Sequence, residues 1–169
     1  MTTKSQEVIG LERGQTAPDT DVKDDTGAAS KLFDRMGDKG IVIAFVRSLG
    51  WCPFCKKQIR QLDEVRSELG TLGWRVVSLT YDAPEVLAAF RDKTGVALDL
   101  LSDEGSATID AYNLRNKGVK PGGKSVGVPH PAVVFVSRDG VVQTVLRHKG
   151  YQTRPSAEDV VAAANALSA

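Results

Sequence analysis

The chain has 169 residues, 41% of them hydrophobic and 25% charged, which suits one globular domain with a proper core. A formal net charge of +1 argues against nucleic acid or an anionic membrane as partner, and no apolar run is long enough to span a bilayer. The start, Met1-Thr-Thr-Lys-Ser-Gln-Glu, lacks the apolar core of a signal peptide; with only two cysteines, the expected home is the reducing cytoplasm.

The reading is a single domain over residues 1–169, with the polar, unpatterned residues 1–9 expected to be flexible. Short strands are expected on either side of the turn Asp24-Asp25-Thr26-Gly27. Ser30 is a candidate cap for a helical turn through Leu32, Phe33 and Met36. Ile41 to Val46 is continuously apolar and predicts a buried strand. Ile59, Leu62, Val65 and Leu69 form a helical stripe, so Pro53 to Leu69 predicts an amphipathic helix.

Trp74 to Thr80 predicts a second, central strand. Asp82-Ala83-Pro84-Glu85 has the form of a capped helix start, with Gly95 closing that helix. Leu98 to Leu101 predicts a short extended piece and Ser106 to Tyr112 a short helix. Residues 116–127 are basic, Gly-rich and unpatterned, as expected of a flexible surface loop. Asp139-Gly140 between Ala132–Val136 and Val141–Leu146 marks a hairpin. A last helix is predicted over 156–167, with Ser156 and Asp159 as cap residues.

Both cysteines lie in Gly50-Trp51-Cys52-Pro53-Phe54-Cys55, at the turn from a buried strand into a helix. Pro53 suits the first helical position. Free N–H groups and the helix dipole then favour a Cys52 thiolate, with Lys56 and Arg47 near enough to add to this. Cys55 lies on the helical stripe and is expected to be the more buried thiol. A structural disulfide here would close a tiny loop and contribute little. Zinc wants four ligands, and Cys52, Cys55, His130 and His148 have no finger-like spacing. The pattern therefore points to a redox pair with no metal.

Pro129-His130-Pro131 precedes the hairpin, where a cis bond at Pro131 is a natural way to turn and an ordinary trans turn is the alternative. With Gly14-Gln-Thr-Ala-Pro18-Asp19, Trp51-Cys-Pro-Phe-Cys55, Leu100-Leu-Ser-Asp103, Tyr112 and Pro131-Ala-Val-Val-Phe-Val, the chain resembles the thioredoxin-fold redoxins, within them the peroxiredoxin-like alkyl hydroperoxide reductase/thiol-specific antioxidant group. The resemblance implies an α/β thioredoxin-like fold: a central mixed sheet with helices on both faces and an N-terminal extension. It also implies that Pro131 matches the family's cis-proline, with His130 offering backbone groups to a docked substrate. Peroxidases of the group place Thr or Ser three residues before the attacking cysteine and a proline further upstream; here those positions are Leu49 and Phe45, with Ser48 adjacent. They also carry an arginine at the position of Pro131, which Arg47 or Arg147 would have to replace, and thioredoxins a buried Asp at the position of Ala44.

The favoured expectation is a thiol–disulfide oxidoreductase in which Cys52 attacks a disulfide-bearing protein and Cys55 resolves, with Trp51, Pro53, Pro131, His130, Ser48 and Arg47 supporting. The alternative is a thiol peroxidase working through a Cys52 sulfenic acid, and a third is a redox-sensing interaction module. Either enzyme needs a thioredoxin-like or small-thiol reductant and no organic cofactor. A homodimer is compatible with the resemblance.

Overall fold

The computed structural model describes residues 8–168, and its strands join into one seven-stranded sheet. The strands are β1 (Asp21–Lys23), β2 (Ala29–Lys31), β3 (Gly40–Phe45), β4 (Trp74–Thr80), β5 (Asp99–Ser102), β6 (Ala132–Ser137) and β7 (Val142–Leu146), in spatial order β2-β1-β5-β4-β3-β6-β7. β3, β4 and β5 are parallel and the remaining pairs antiparallel, so the sheet is mixed. The helices are α1 (Pro53–Glu64), α2 (Arg66–Thr71), α3 (Pro84–Thr94), α4 (Ala107–Ala111) and α5 (Ala157–Ser168), with a 3-10 turn at Leu32–Arg35.

β3 is buried along its whole length because both faces of the sheet are covered. Val42 and Ala44 point to one core, with Ile59 and Leu62 of α1, Leu87 and Phe90 of α3, and Val160 and Ala164 of α5. Ile41, Ile43 and Phe45 point to the other, with Leu32, Ile109 and Tyr112. A helix of α1's length is marginal alone; burying Ile59 and Leu62, at about 1.5–3 kcal/mol each, is what holds it. Since β3 and β4 are parallel, α1 and α3 both begin at the same end of the sheet. Cys52 therefore lies at that end.

Several expectations change. The helix from Pro53 breaks at Val65, whose N–H returns to the Leu62 carbonyl at 3.1 Å; the tight turn redirects α2 so that Leu69 stays in the core. Ser30 belongs to β2, and the 3-10 turn is entered through the Lys31 N–H donating to Asp34. Asp82 does not cap α3, which starts from Ala83 without a side-chain cap. The Ser156–Asp159 cap is present in both directions: each backbone N–H donates to the other's side chain. Of the lead-in, residues 1–7 lie outside the described residues, and Asn113 holds the Val8 carbonyl at 2.9 Å while Ile9 packs on the second core. The 116–127 segment has no regular structure, but Tyr81 Oη donates to the Lys124 carbonyl at 2.5 Å and Ser106 Oγ to that of Gly127 at 2.7 Å.

β3 starts at Gly40 with φ +148°, where an added Cβ would lie 2.0 Å from the Val136 carbonyl oxygen. Gly40→Ala is expected to cost at least about 3 kcal/mol or prevent folding, since the clash is with backbone. Gly70→Ala, in the exposed interior of α2 with open space around it, should instead stabilise by about 0.5–1 kcal/mol. Urea unfolding of the two variants checks both; equal midpoints would contradict this account of β3.

Candidate active site

Cys52 is the N-cap residue of α1, in an extended conformation, and Pro53 takes the first helical position. The first turn carries no acidic residue. Both thiols are free and buried, Cys52 at 1% exposure and Cys55 at 0%. Cys55 acts on Cys52 through its thiol and, less strongly, its N–H, and both lower the Cys52 pKa. Arg154 Nη2 donates to Cys55 Sγ at 3.2 Å and to Cys52 Sγ at 3.8 Å, and the Arg47 N–H donates to Cys55 Sγ at 3.2 Å.

These donors decide which sulfur is charged. The Cys55 thiol's hydrogen bond, with smaller help from Arg154 and then Arg47, outweighs burial and pulls Cys52 down to about 5. Burial and that same donated proton push Cys55 far up. The pair therefore holds one negative charge, on Cys52. The sequence pointed to this sulfur through the helix dipole and Lys56; the largest cause is instead its neighbour's thiol. Lys56 contributes a backbone N–H to the Cys52 carbonyl at 3.1 Å.

Arg154 is the residue that sequence reasoning missed. It sits in the loop between β7 and α5, and it is fixed by donating from Nη1 to Gln58 Oε1 at 2.8 Å and from Nε to the Tyr151 carbonyl at 2.6 Å. No local pattern marks an arginine so far along the chain from the cysteines. Arg147, half-buried at the start of the same loop, makes none of these contacts. Tyr151 meets Phe54 edge-on at 5.8 Å, and the Arg47 guanidinium lies between the rings of Tyr151 and Trp51, at 4.2 and 4.9 Å. Lys124 stacks on Trp51 at 4.7 Å, and Trp51 Nε1 donates to Tyr81 Oη at 2.9 Å.

A buried carboxylate sets the loop before the cysteines. Asp82 accepts from Ser48 Oγ at 2.7 Å, the Leu49 N–H at 2.8 Å and Thr80 Oγ1 at 2.8 Å. Ser48 Oγ in turn accepts from the N–H groups of Gly50 and Trp51 at 2.9 and 3.3 Å. The Ser48 hydroxyl, a candidate to stand in for the missing Thr or Ser at position 49, therefore has its proton committed to Asp82.

The structure thus brings Arg47, Ser48, Trp51 and Pro53 together around Cys52 and Cys55. Pro131 is buried at the start of β6, next to Ala132, which pairs with Phe45 at the end of β3. Its peptide bond is trans, as are all those described, which corrects the cis expectation. Pro129 bridges to Arg115, the His130 N–H bonds the Leu114 carbonyl and Ala132 pairs with Phe45, so pairing on both sides of Pro131 is made with a trans bond. His130 is set apart: its N–H donates to the Leu114 carbonyl at 2.6 Å, and it lines a separate cavity with Asp110, Asn113 and Arg115. No metal-holding group of His, Cys, Asp or Glu occurs among the described residues.

The model of the AhpC/TSA family matches residues 13–145. The chain belongs to the AhpC/TSA family. It is 26% identical over 135 residues to peroxiredoxin Bcp of Escherichia coli K12, covering 80% of this chain and 85% of that one. It is 23% identical over 147 residues to the thiol-disulfide oxidoreductase ResA of Halalkalibacterium halodurans, covering 86% and 73%. Among solved structures, peroxidoxin BcpB of Mycobacterium tuberculosis superposes with a TM-score of 0.80 at 19% identity, over 93% of this chain and 98% of the other. That likeness establishes the thioredoxin-like, peroxiredoxin-type fold, and the relatives make this AhpC/TSA member an oxidoreductase. No described helix is long and apolar enough to cross a membrane.

Alkylation of the reduced protein should modify Cys52 first. Its rate should rise through a midpoint near pH 5 and then stay flat to pH 8, because the thiolate fraction saturates above the lowered pKa. Arg154→Gln should move the midpoint to higher pH, and by more than Arg47→Gln does. Peptide mapping with a pH–rate profile measures this; first modification at Cys55, or a midpoint near 8.5, would refute the charge assignment.

Proposed function

We propose that this protein is a thiol–disulfide oxidoreductase whose attacking sulfur is Cys52 and whose resolving sulfur is Cys55. The observation that carries the reading is the pair of free, buried cysteines at the start of α1, with the Arg154 guanidinium donating to both sulfurs. Cys52 thiolate attacks a substrate disulfide, forming a mixed disulfide and releasing one substrate thiolate. Cys55 gives up its proton, attacks Cys52 Sγ and releases the second substrate thiol. The protein's thiolate–thiol pair becomes a disulfide, and the substrate gains two electrons, one proton from Cys55 and, on the thiolate released first, one proton from solvent. Arg154, touching both sulfurs, stabilises negative charge on whichever carries it. The protein then needs a thioredoxin-like or small-thiol reductant, and the reaction fits a reducing cytoplasm.

A second reading is thiol-dependent peroxide reduction, in which Cys52 becomes a sulfenic acid and Cys55 condenses with it. Two observations favour it: Cys52 is 1% exposed, so a small oxidant reaches it more easily than a protein disulfide, and Arg154 is a fixed cation beside it. Against it stands the shortage of donors. Ser48 Oγ–H and the Leu49 N–H are both bound to Asp82, whereas O–O cleavage gains about a few kcal/mol from each donor fixed at the breaking bond. At about one decade per 1.4 kcal/mol, two lost donors slow peroxide reduction by several powers of ten. Disulfide exchange in turn requires the loop over residues 147–156 to yield.

Stopped-flow mixing of the reduced protein with hydrogen peroxide and with a small disulfide, followed by Trp51 fluorescence, ranks the two. Faster exchange with the disulfide is expected; a far larger second-order constant for peroxide would make the second reading the function. Cys55→Ser should keep the first step and lose turnover, trapping a mixed disulfide with substrate. Unchanged turnover in that variant would take Cys55 out of the mechanism.

A further inference from the structure

A groove of about 630 Å³ runs between α1 and α3, within the range of small-molecule sites. Leu49 and Gly50 line its near end, two to three residues before Cys52. Gly50 keeps that end open, since a Cβ there would approach Val86 Cγ1 to 3.0 Å. On α3, Val86, Ala89, Phe90 and Lys93 share one face; on α1, Lys56 and Arg60 are one turn apart. Leu49, Val86, Ala89 and Phe90 supply the apolar lining. The far end carries Arg60 and Lys93, while Glu85 sits in the first turn of α3 at the near end. Among the described residues, the side chains of Lys56, Arg60 and Lys93 enter no ion pair or hydrogen bond. From Glu85 to Lys93 the helix rises about 12 Å.

We infer that this groove binds an aliphatic carboxylate, with an apolar chain of about 12 Å lying on Val86, Ala89 and Phe90 and its carboxylate between Arg60 and Lys93. At the near end Lys56 and Glu85 offset each other, whereas Arg60 and Lys93 stand together at the far end, and this asymmetry fixes the orientation, leaving the other end of the chain beside the Cys52 turn. A hydrocarbon fits better than an extended peptide. Both walls are helices whose backbone groups bond internally, so a peptide's own N–H and C=O groups would lie unpaired on an apolar floor. Resting on the reading of Cys52 as a disulfide-attacking thiolate, the substrate class is then a disulfide at the end of an aliphatic chain that bears a carboxylate. It is cleaved to two thiols by the exchange steps given above.

The test measures the rate at which dithiodioctanoate, its neutral bis-amide and hydroxyethyl disulfide oxidise the reduced protein. The acid should react about tenfold faster than the amide, the size of advantage that two exposed rim charges supply, and the advantage should shrink in high salt. It should vanish in Arg60→Glu/Lys93→Glu and in Ala89→Trp, which fills the groove, while the hydroxyethyl disulfide rate stays the same. Equal rates for acid and amide, or an advantage that survives Ala89→Trp, would overturn the groove. Calorimetry with decanoate, which has no disulfide, separates the two claims. Saturable decanoate binding lost in Ala89→Trp, together with no reaction of any disulfide, would support the groove and sink the exchange chemistry. No decanoate binding would sink the groove whatever the disulfides do.

Discussion

A single negative charge held on one of two buried sulfurs is the constraint to which the rest of this end of the molecule answers. A thiolate at 1% exposure has little water to stabilise it, so the protein supplies donors. The largest influence is the other cysteine, whose thiol, and less strongly N–H, favour the charged Cys52. Arg154 adds a cation in contact with both sulfurs, and α1 brings no acid in its first turn. Raising Cys55 and lowering Cys52 are one event, because the proton that stays on one is the hydrogen bond that charges the other.

Holding that arrangement requires a rigid turn between β3 and α1. Asp82 provides it from the end of β4 by binding the Ser48 hydroxyl and the Leu49 N–H, so the parallel pairing of β3 and β4 is also what brings the clamp within reach. The same commitment bears on chemistry. A hydroxyl and an N–H that fix a loop are not available to grip a peroxide, and this shifts the balance between two reactions that share a nucleophile. On the far side of the pair, the loop carrying Tyr151 and Arg154 both activates Cys52 and covers it. Access and activation are thereby coupled, since movement that exposes the sulfur also withdraws a donor.

Much of this was legible in the residues, since hydrophobic periodicity and turn chemistry act over a few positions. The apolar run at 41–46 became β3, Trp74–Thr80 became β4, and Asp139-Gly140 became the hairpin turn, with Gly140 at φ +81°. The reciprocal Ser156–Asp159 cap was likewise readable from two residues. The placing of Cys52 at the N-cap of α1, with Pro53 in the first helical position, followed from strand–Cys–Pro–helix. Where local signals misled, a distant partner had won. Asp82 has the spacing of a helix cap, but the loop at 48–49 offers it a buried hydroxyl and an N–H, which are worth more than one exposed helix end.

The sequence by itself therefore determined the order of elements, the mixed sheet and the place of Cys52 at a helix start. Only the tertiary structure decided that Arg154 joins the sulfurs, that Pro131 is trans, that His130 lies apart, and that two helix faces leave a cationic-rimmed groove beside the site. The reason is one of range. Burial and backbone preference are fixed by neighbours in the chain, whereas a hydrogen bond across 99 residues exists only once the sheet has set where each loop ends.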